Sequence, residues 1–204
     1  GSATGENSET LTYCWEQNDN ASSGQTGTSS VASATKASGP NWISFSPSTS
    51  PSRTFPQLAT ILAGSNVTGP LTGGDAGANT EALSSVARTL NFRLTVRDNV
   101  PYSSVAPLNT GQTAYTDVVV TVASSGPFNV TWPNTSTVIW ENNSTQNITW
   151  SVNNTNTSPV NCTSVRILLS TDGGLTFPTI LADNTPNDGS EAITLNMGTL
   201  GSSI

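Results

Sequence analysis

Residues 117–131 read Asp-Val-Val-Val-Thr-Val-Ala-Ser-Ser-Gly-Pro-Phe-Asn-Val-Thr, and they constrain the fold more than any other stretch. Val118, Val120 and Val122 alternate with Val119 and Thr121, the period-2 pattern of a strand rich in β-branched residues. Ser124-Ser125-Gly126-Pro127 then breaks the pattern, because Pro has no N–H to give to a ladder. A second alternation follows at once, with Phe128, Val130 and Trp132 on one face and Asn129 and Thr131 on the other. A strand that closes one sheet, four breaker residues and a strand that opens another describe tandem β modules. The expected fold is all-β: two tandem antiparallel, immunoglobulin-like β-sandwiches spanning residues 1–124 and 125–204. At about 124 and 80 residues, each is long enough to bury a core.

What the chain lacks narrows its chemistry. It contains no histidine, which removes Ser-His-Asp and Cys-His catalysis and the common zinc sites. Charged residues are 9% of the chain and the net charge is −7, with one lysine and five scattered arginines. Nucleic acid is therefore excluded as a partner, since phosphate binding needs clustered Lys and Arg. Ser, Thr, Asn and Gly fill the place of the charges, a composition common in secreted bacterial β proteins. No apolar run approaches the roughly 18 residues of a membrane span. No signal peptide is visible, so the sequence reads as a piece of a longer precursor. Cys14 and Cys162 fall one in each half and read as two separate buried thiols.

In the first half, Leu11 to Gln17 alternates Leu11, Tyr13 and Trp15 against Thr12, Cys14 and Glu16, an expected strand. Residues 40–58 hold Pro40, Trp42, Phe45, Pro47, Pro51, Phe55 and Pro56, a spacing that excludes a helix. They predict an extended excursion whose aromatics pin it to the sheet. Ala59 to Gly64 ends it at a turn, and the glycine-rich run from Ser65 to Ala82 reads as a flexible loop. Arg88 to Asp98 is the cleanest strand, with Leu90, Phe92, Leu94 and Val96 on one face. Tyr115 to Val122 is its antiparallel partner.

Three segments carry a resemblance: Leu11 to Asp19, Arg53 to Gly64, and Arg88 to Asn99. Together they resemble a cadherin/PKD-like module that follows the protease domain in secreted, reprolysin-like zinc metallopeptidases of Bacteroidetes bacteria. Those parents leave the cell by the type IX system. The resemblance implies an extracellular, non-catalytic accessory module. Related cadherin-like modules bind calcium at an acidic loop before the first strand, and Thr4 to Glu9 departs from that Asp spacing.

In the second half, Val138 and Trp140, then Ile148, Trp150 and Val152, continue the period-2 pattern, and Val165 to Leu169 is an apolar strand. Ser170 to Phe177 matches the Asp-box pattern S-x-D-x-G-x-T-W/F, formed by Ser170, Asp172, Gly174, Thr176 and Phe177. Its local chemistry is a structural hairpin. Asp172 accepts N–H groups across the turn, Gly174 takes a positive φ, and Phe177 staples the returning strand. Asp-boxes are familiar from sialidase propellers, but one copy cannot make a propeller. This half resembles the immunoglobulin-like module that follows in the same metallopeptidases, and it stops short of that module's last strands.

Candidate sites divide between functional and structural readings. Asp172, Asp183 and Asp188 either gather around a calcium ion or form ordinary Asx turns. Trp132, Trp140 and Trp150 either make a carbohydrate-stacking platform or fill a core. Glu16 and Glu141 lie in different modules and make no glycosidase pair. Ten asparagines sit in N-x-S/T. Eight of them fall in the second half: Asn129, Asn134, Asn142, Asn143, Asn147, Asn153, Asn156 and Asn161. They mark either a glycosylated surface or plain polar composition. The partners expected are a cell-surface protein or polysaccharide. The rival reading is a structural subunit that assembles with copies of itself by β-strand exchange. Its open edges would lie before Thr12 and after Leu195.

Overall fold

The computed structural model describes residues 3–5 and 9–196. Expectations about the chain ends, including missing terminal strands, fall largely outside those residues. Among the described residues, strands make up 34% and helix 4%, and every strand pair is antiparallel, so the protein is all-β. It divides into two compact units, residues 1–122 and 123–204.

In the first unit, β1 (Thr12–Gln17), β4 (Arg88–Arg97) and β5 (Thr113–Val122) form one sheet in the order β1-β4-β5. A two-stranded ribbon joins β2 (Val67–Thr68) to β3 (Glu81–Ala82). β4 alternates as its sequence requires, with Leu90, Phe92 and Leu94 buried while Thr89 and Asn91 face water. Residues 40–58 cross this face, and their aromatics do the covering. Trp42 packs with Leu90 and Phe92, and Phe55 lies 4.8 Å from the Phe92 ring and 5.5 Å from Trp42.

Two expectations for this half need correction. The turn over Ala59 to Gly64 is a short helix, α1 (Leu58–Leu62), in which Leu58, Ala59 and Leu62 favour the helix and which ends at Gly64, whose φ is +69°. The stretch from Ser65 to Ala82 is not a free loop, because its end is the most buried part of the unit. Thr80, Glu81 and Ala82 are all buried, the last two completely. What holds them is polar, which a hydrophobic pattern cannot reveal. Arg53 Nη2 meets Glu81 Oε1 at 2.7 Å, while Gln57 N and Thr68 Oγ1 donate to Oε2 at 3.0 and 2.9 Å.

In the second unit, β6 (Asn129–Trp132), β7 (Thr145–Ser151) and β10 (Ser190–Thr194) form a sheet in the order β10-β7-β6. β8 (Ser164–Leu169) pairs with β9 (Thr179–Pro186). Ile148, Trp150 and Ile193 from the first sheet meet Val165, Ile167, Leu181 and Ala182 from the second in one core. Trp150 is buried, and its indole N–H donates to Asn187 Oδ1 at 2.8 Å. Val138 to Trp140 forms no strand, contrary to the pattern. Trp140 instead stacks on Trp132, with centroids 5.4 Å apart and planes 12° from parallel. Ile139 is left 89% exposed.

Removing one partner of a buried, hydrogen-bonded ion pair leaves the other charge stranded. Replacing Glu81 by alanine is expected to lower the unfolding free energy of the first unit by about 3–5 kcal/mol. Urea unfolding followed by tryptophan fluorescence measures it, and a loss under about 1 kcal/mol would put the pair among ornamental surface bridges.

Candidate functional site

The carboxylates of the second unit do not converge. Asp172 is held inside its own turn: Thr176 donates to it from both N (2.9 Å) and Oγ1 (2.6 Å), and Ser170 Oγ lies 2.7 Å away. Gly174 donates to Ser170 Oγ at 2.8 Å, and its φ of +90° is one only glycine adopts freely. Phe177 does not staple the returning strand, since it is 52% exposed. Asp172 therefore ties this turn with hydrogen bonds where the sequence suggested an aromatic clasp. Asp183 pairs with Arg166 at 2.7 Å across β8 and β9, and Asp188 accepts from Ser190 N at 3.3 Å. Among the described residues, no group of three or more His, Cys, Asp or Glu is arranged to hold a metal ion. Each of the three has another partner, so the expected calcium cluster of Asp172, Asp183 and Asp188 is not assembled.

The three tryptophans likewise do not form a platform. Trp150 is core, and Trp132 and Trp140 cover one face of each other. All eight clustered sequon asparagines (Asn129, Asn134, Asn142, Asn143, Asn147, Asn153, Asn156 and Asn161) are exposed. Of these, Asn153 Nδ2 donates to Pro127 O and Asn156 Nδ2 to Asn187 O. Both cysteines are free thiols; Cys14 is buried and Cys162 half-buried. Burial, followed by the nearby Glu16 carboxylate, pushes the Cys14 thiol up, away from the reactive thiolate. A cleft of about 410 Å³ between β1 and the proline-rich crossing is lined by Tyr13, Trp15, Phe45 and several serines. Arg53 is in its wall, and its Nη1 and Nη2 donate to Trp15 O, Ile43 O and Glu81.

The feature left over is an edge. β5 is ten residues long, lies at the margin of its sheet, and is exposed at every residue but the last. Tyr115 and Val119 on one face are 63% and 65% exposed, and Val118 and Val120 on the other are 39% and 41% exposed. The reason lies in the cover. Trp42 and Phe55 reach over β4 and β1, and of β5 only Val122 joins the core cluster. The hydrogen-bond phase then fixes which backbone groups look outward. Asn18 N donates to Asn91 O, and Asp98 N to Gln112 O, so odd-numbered residues of β4 bond to β1 and even-numbered ones to β5. The partners on β5 are even-numbered as well. Thr113, Tyr115, Asp117, Val119 and Thr121 therefore turn their N–H and C=O groups away from the sheet.

Among the described residues, none of the usual guards protects this edge. The register with β4 runs unbroken from Arg88↔Val122 to Arg97↔Thr113, so no bulge bends it away. β5 has no proline and no lysine. Its one charge, Asp117, is bound in a fork by Arg93, with Nε to Oδ1 at 2.7 Å and Nη2 to Oδ2 at 2.9 Å. That hydrogen bonding to Arg93 holds the Asp117 carboxyl below its ordinary 3.8. The Arg93 guanidinium also lies 3.9 Å from the Tyr115 ring centroid. Sequence reasoning placed the open edges before Thr12 and after Leu195. The first of these is partly closed, because Tyr13 and Ser48 exchange main-chain hydrogen bonds at 2.7 and 3.0 Å. The signal for β5 lay in its own sequence: a strand covered on one face would not place Val119 between Val118 and Val120.

Comparison with family models, with curated proteins and with solved structures returned no match to this chain.

The Asp-box turn offers a titration with a definite sign. Donation from the Thr176 hydroxyl, then from the Thr176 N–H and Ser170, pulls the Asp172 carboxyl from 3.8 to about 2. A depressed carboxylate stabilises the fold in full above its unfolded value, so this contribution holds above pH 3.8 and is lost as pH falls through about 2. Carboxyl-carbon NMR should show an Asp172 midpoint at about 2, and Thr176→Val should move it back toward 3.8. An unchanged midpoint in that variant would mean the hydroxyl is not the main donor.

Proposed function

We propose that the chain is a non-catalytic β segment of a secreted or cell-surface protein, and that it engages another polypeptide by adding a strand to β5. The single observation that carries this is the unguarded ten-residue edge, with outward-facing backbone at alternate residues and apolar side chains on both faces. A strand laid along it gains main-chain hydrogen bonds for affinity, and side-chain contacts on both faces supply selectivity.

Three further considerations support this reading. The second unit, where Ile148, Trp150 and Ile193 of one sheet meet Val165, Ile167, Leu181 and Ala182 of another, suits an immunoglobulin-like β-sandwich, and such domains serve widely as spacers and adhesive modules. The polar, sparsely charged composition suits an extracellular setting. The resemblance of the Leu11–Asp19, Arg53–Gly64 and Arg88–Asn99 segments to accessory modules of Bacteroidetes zinc metallopeptidases, exported by the type IX system, points the same way. Under that reading, catalysis belongs to a parent domain and this chain supplies attachment.

A synthetic strand of alternating valine and threonine serves as a probe that resembles no particular partner. Hydrogen exchange of the full chain is expected to show fast amides at Tyr115, Asp117, Val119 and Thr121, and slow ones at the alternate residues bonded to β4. Adding the peptide should slow the fast set. Val119→Lys, which puts a charge on the edge without touching the β4 ladder, should weaken peptide binding about tenfold or more. Peptide binding that leaves those four amides fast would place the interaction elsewhere and overturn the proposal.

A further inference from the structure

The asparagines of the second unit are followed by hydroxyl residues more often than composition requires. Nine asparagines lie between Asn129 and Asn161, and eight of them have Ser or Thr two residues on, with no proline at the middle position. Ser and Thr fill 12 of the 33 positions from 131 to 163, so random placement would give about three such pairs. The first unit behaves as chance predicts. It holds nine asparagines, 36 of its 122 residues are Ser or Thr, and two asparagines, Asn20 and Asn66, complete the pattern. Alternation of polar residues along a strand explains Asn129 on β6 and Asn147 on β7. It does not explain the other six, which lie outside the strands.

We infer that the second unit carries N-linked sugars on the outer face of the β10-β7-β6 sheet and on the segments beside β6 and β7. Ile148 and Trp150 point into the core, so Asn147 stands on the opposite face of the central strand. Asn129 shares that face, because it pairs with Ser151. Asn134, Asn142 and Asn143 lie between β6 and β7, and the remaining three between β7 and β8. All eight are exposed. The asparagines elsewhere in the sandwich lack the hydroxyl. Asn184 on β9 has Pro186 two residues on, and buried Asn187 has Gly189. Charge is the second, independent observation. Residues 125–163 hold one charged side chain, Glu141, where a soluble surface is usually about 25–35% charged. Sugar hydroxyls would supply the hydration that charges supply elsewhere.

The donor required is a sugar joined through C1 to a pyrophosphate. The asparagine Nδ2 bonds to C1, the C1–O bond breaks with its electron pair on the departing pyrophosphate, and Nδ2 gives one proton to a base of the transferase. Asn142 and Asn143 are adjacent, so one of the two is used in a given copy. Asn153 and Asn156 donate Nδ2 to Pro127 O at 2.5 Å and Asn187 O at 3.3 Å, so they can accept a sugar only before this segment folds.

The test is peptide mass spectrometry of the full chain recovered from the cells that make it. Sugar is expected on Asn134, on Asn147 and on one of Asn142 and Asn143. Ser136→Ala should strip the sugar from Asn134 alone, and Ser136→Thr should keep it. Asn134→Gln gives the same loss by a second route if Ser136→Ala is poorly produced. One oligosaccharide of constant mass at every used site would support the proposal with a lipid pyrophosphate as donor; a single sugar would support it with a nucleotide as donor. Sugar on Asn153 and Asn156 as well would support it with transfer ahead of folding. An intact mass equal to that of the bare polypeptide would overturn it, and so would sugar confined to serine and threonine hydroxyls. Strand addition at β5 concerns the first unit and stands or falls separately, by protection of its outer amides.

Discussion

A carboxylate with no access to water organises the first unit. Burying an ion costs several kcal/mol after relaxation, so Glu81 is tolerable only with its donors in place. Those donors come from two stretches: the guanidinium of Arg53 and the amide of Gln57 in the proline-rich crossing, and the hydroxyl of Thr68 on β2. Arg53 reaches further, donating to the carbonyls of Trp15 at 2.9 Å and Ile43 at 2.8 Å, with its charge 4.4 Å from the ring centroids of Phe45 and Phe55. The proline-rich crossing has almost no strand ladder of its own, and this cluster takes the ladder's place. Because the crossing is anchored there, Trp42 and Phe55 sit over β4 and β1. The same anchorage is why their cover stops short of β5.

The second unit solves the corresponding problem without charge. Asn187 is buried, accepts from the Trp150 indole, and donates to Cys162 O at 2.8 Å and Thr155 Oγ1 at 3.1 Å. A neutral amide costs less to bury than an ion and can satisfy groups on several sides at once. One side chain therefore orients the central tryptophan and fixes the segment between β7 and β8. Lost packing would follow the loss of either Asn187 or Glu81, but only the latter would leave a stranded charge.

β4, β7 and β8 were legible because their side chains alternate between more and less exposed positions, and alternation can be read from sequence alone. The failures share a physical origin, which is that particular side-chain pairings, and not the local pattern, decided them. Nothing near Glu81 announces that Arg53, 28 residues earlier, will neutralise it. Val138 and Trp140 alternate like a strand, yet stacking of Trp140 on Trp132 supplies the burial that a strand would have given. Asp172, Asp183 and Asp188 share an oxygen-rich composition, but composition cannot say that each already has its own donor. Gly39 shows the same limit. Its φ of +76° is one that residues with a Cβ rarely adopt, and no local motif marks the position.

The distribution of the sequons bears on whether the β5 edge can be reached. Eight of the ten lie between Asn129 and Asn161, in the second unit, and the remaining two, Asn20 and Asn66, are off β5. Any sugar carried by these asparagines would thus be attached to other elements. The strand itself offers no acceptor, because it contains no asparagine; position 117 holds an aspartate. An aspartate at that place also does what an asparagine would not. It draws Arg93 across the open face, and the guanidinium in turn lies against the Tyr115 ring. The outer face of the edge is thereby ordered before any partner arrives. A strand ordered in this way loses less conformational entropy on pairing than a free one, which lowers the cost of association without adding a contact.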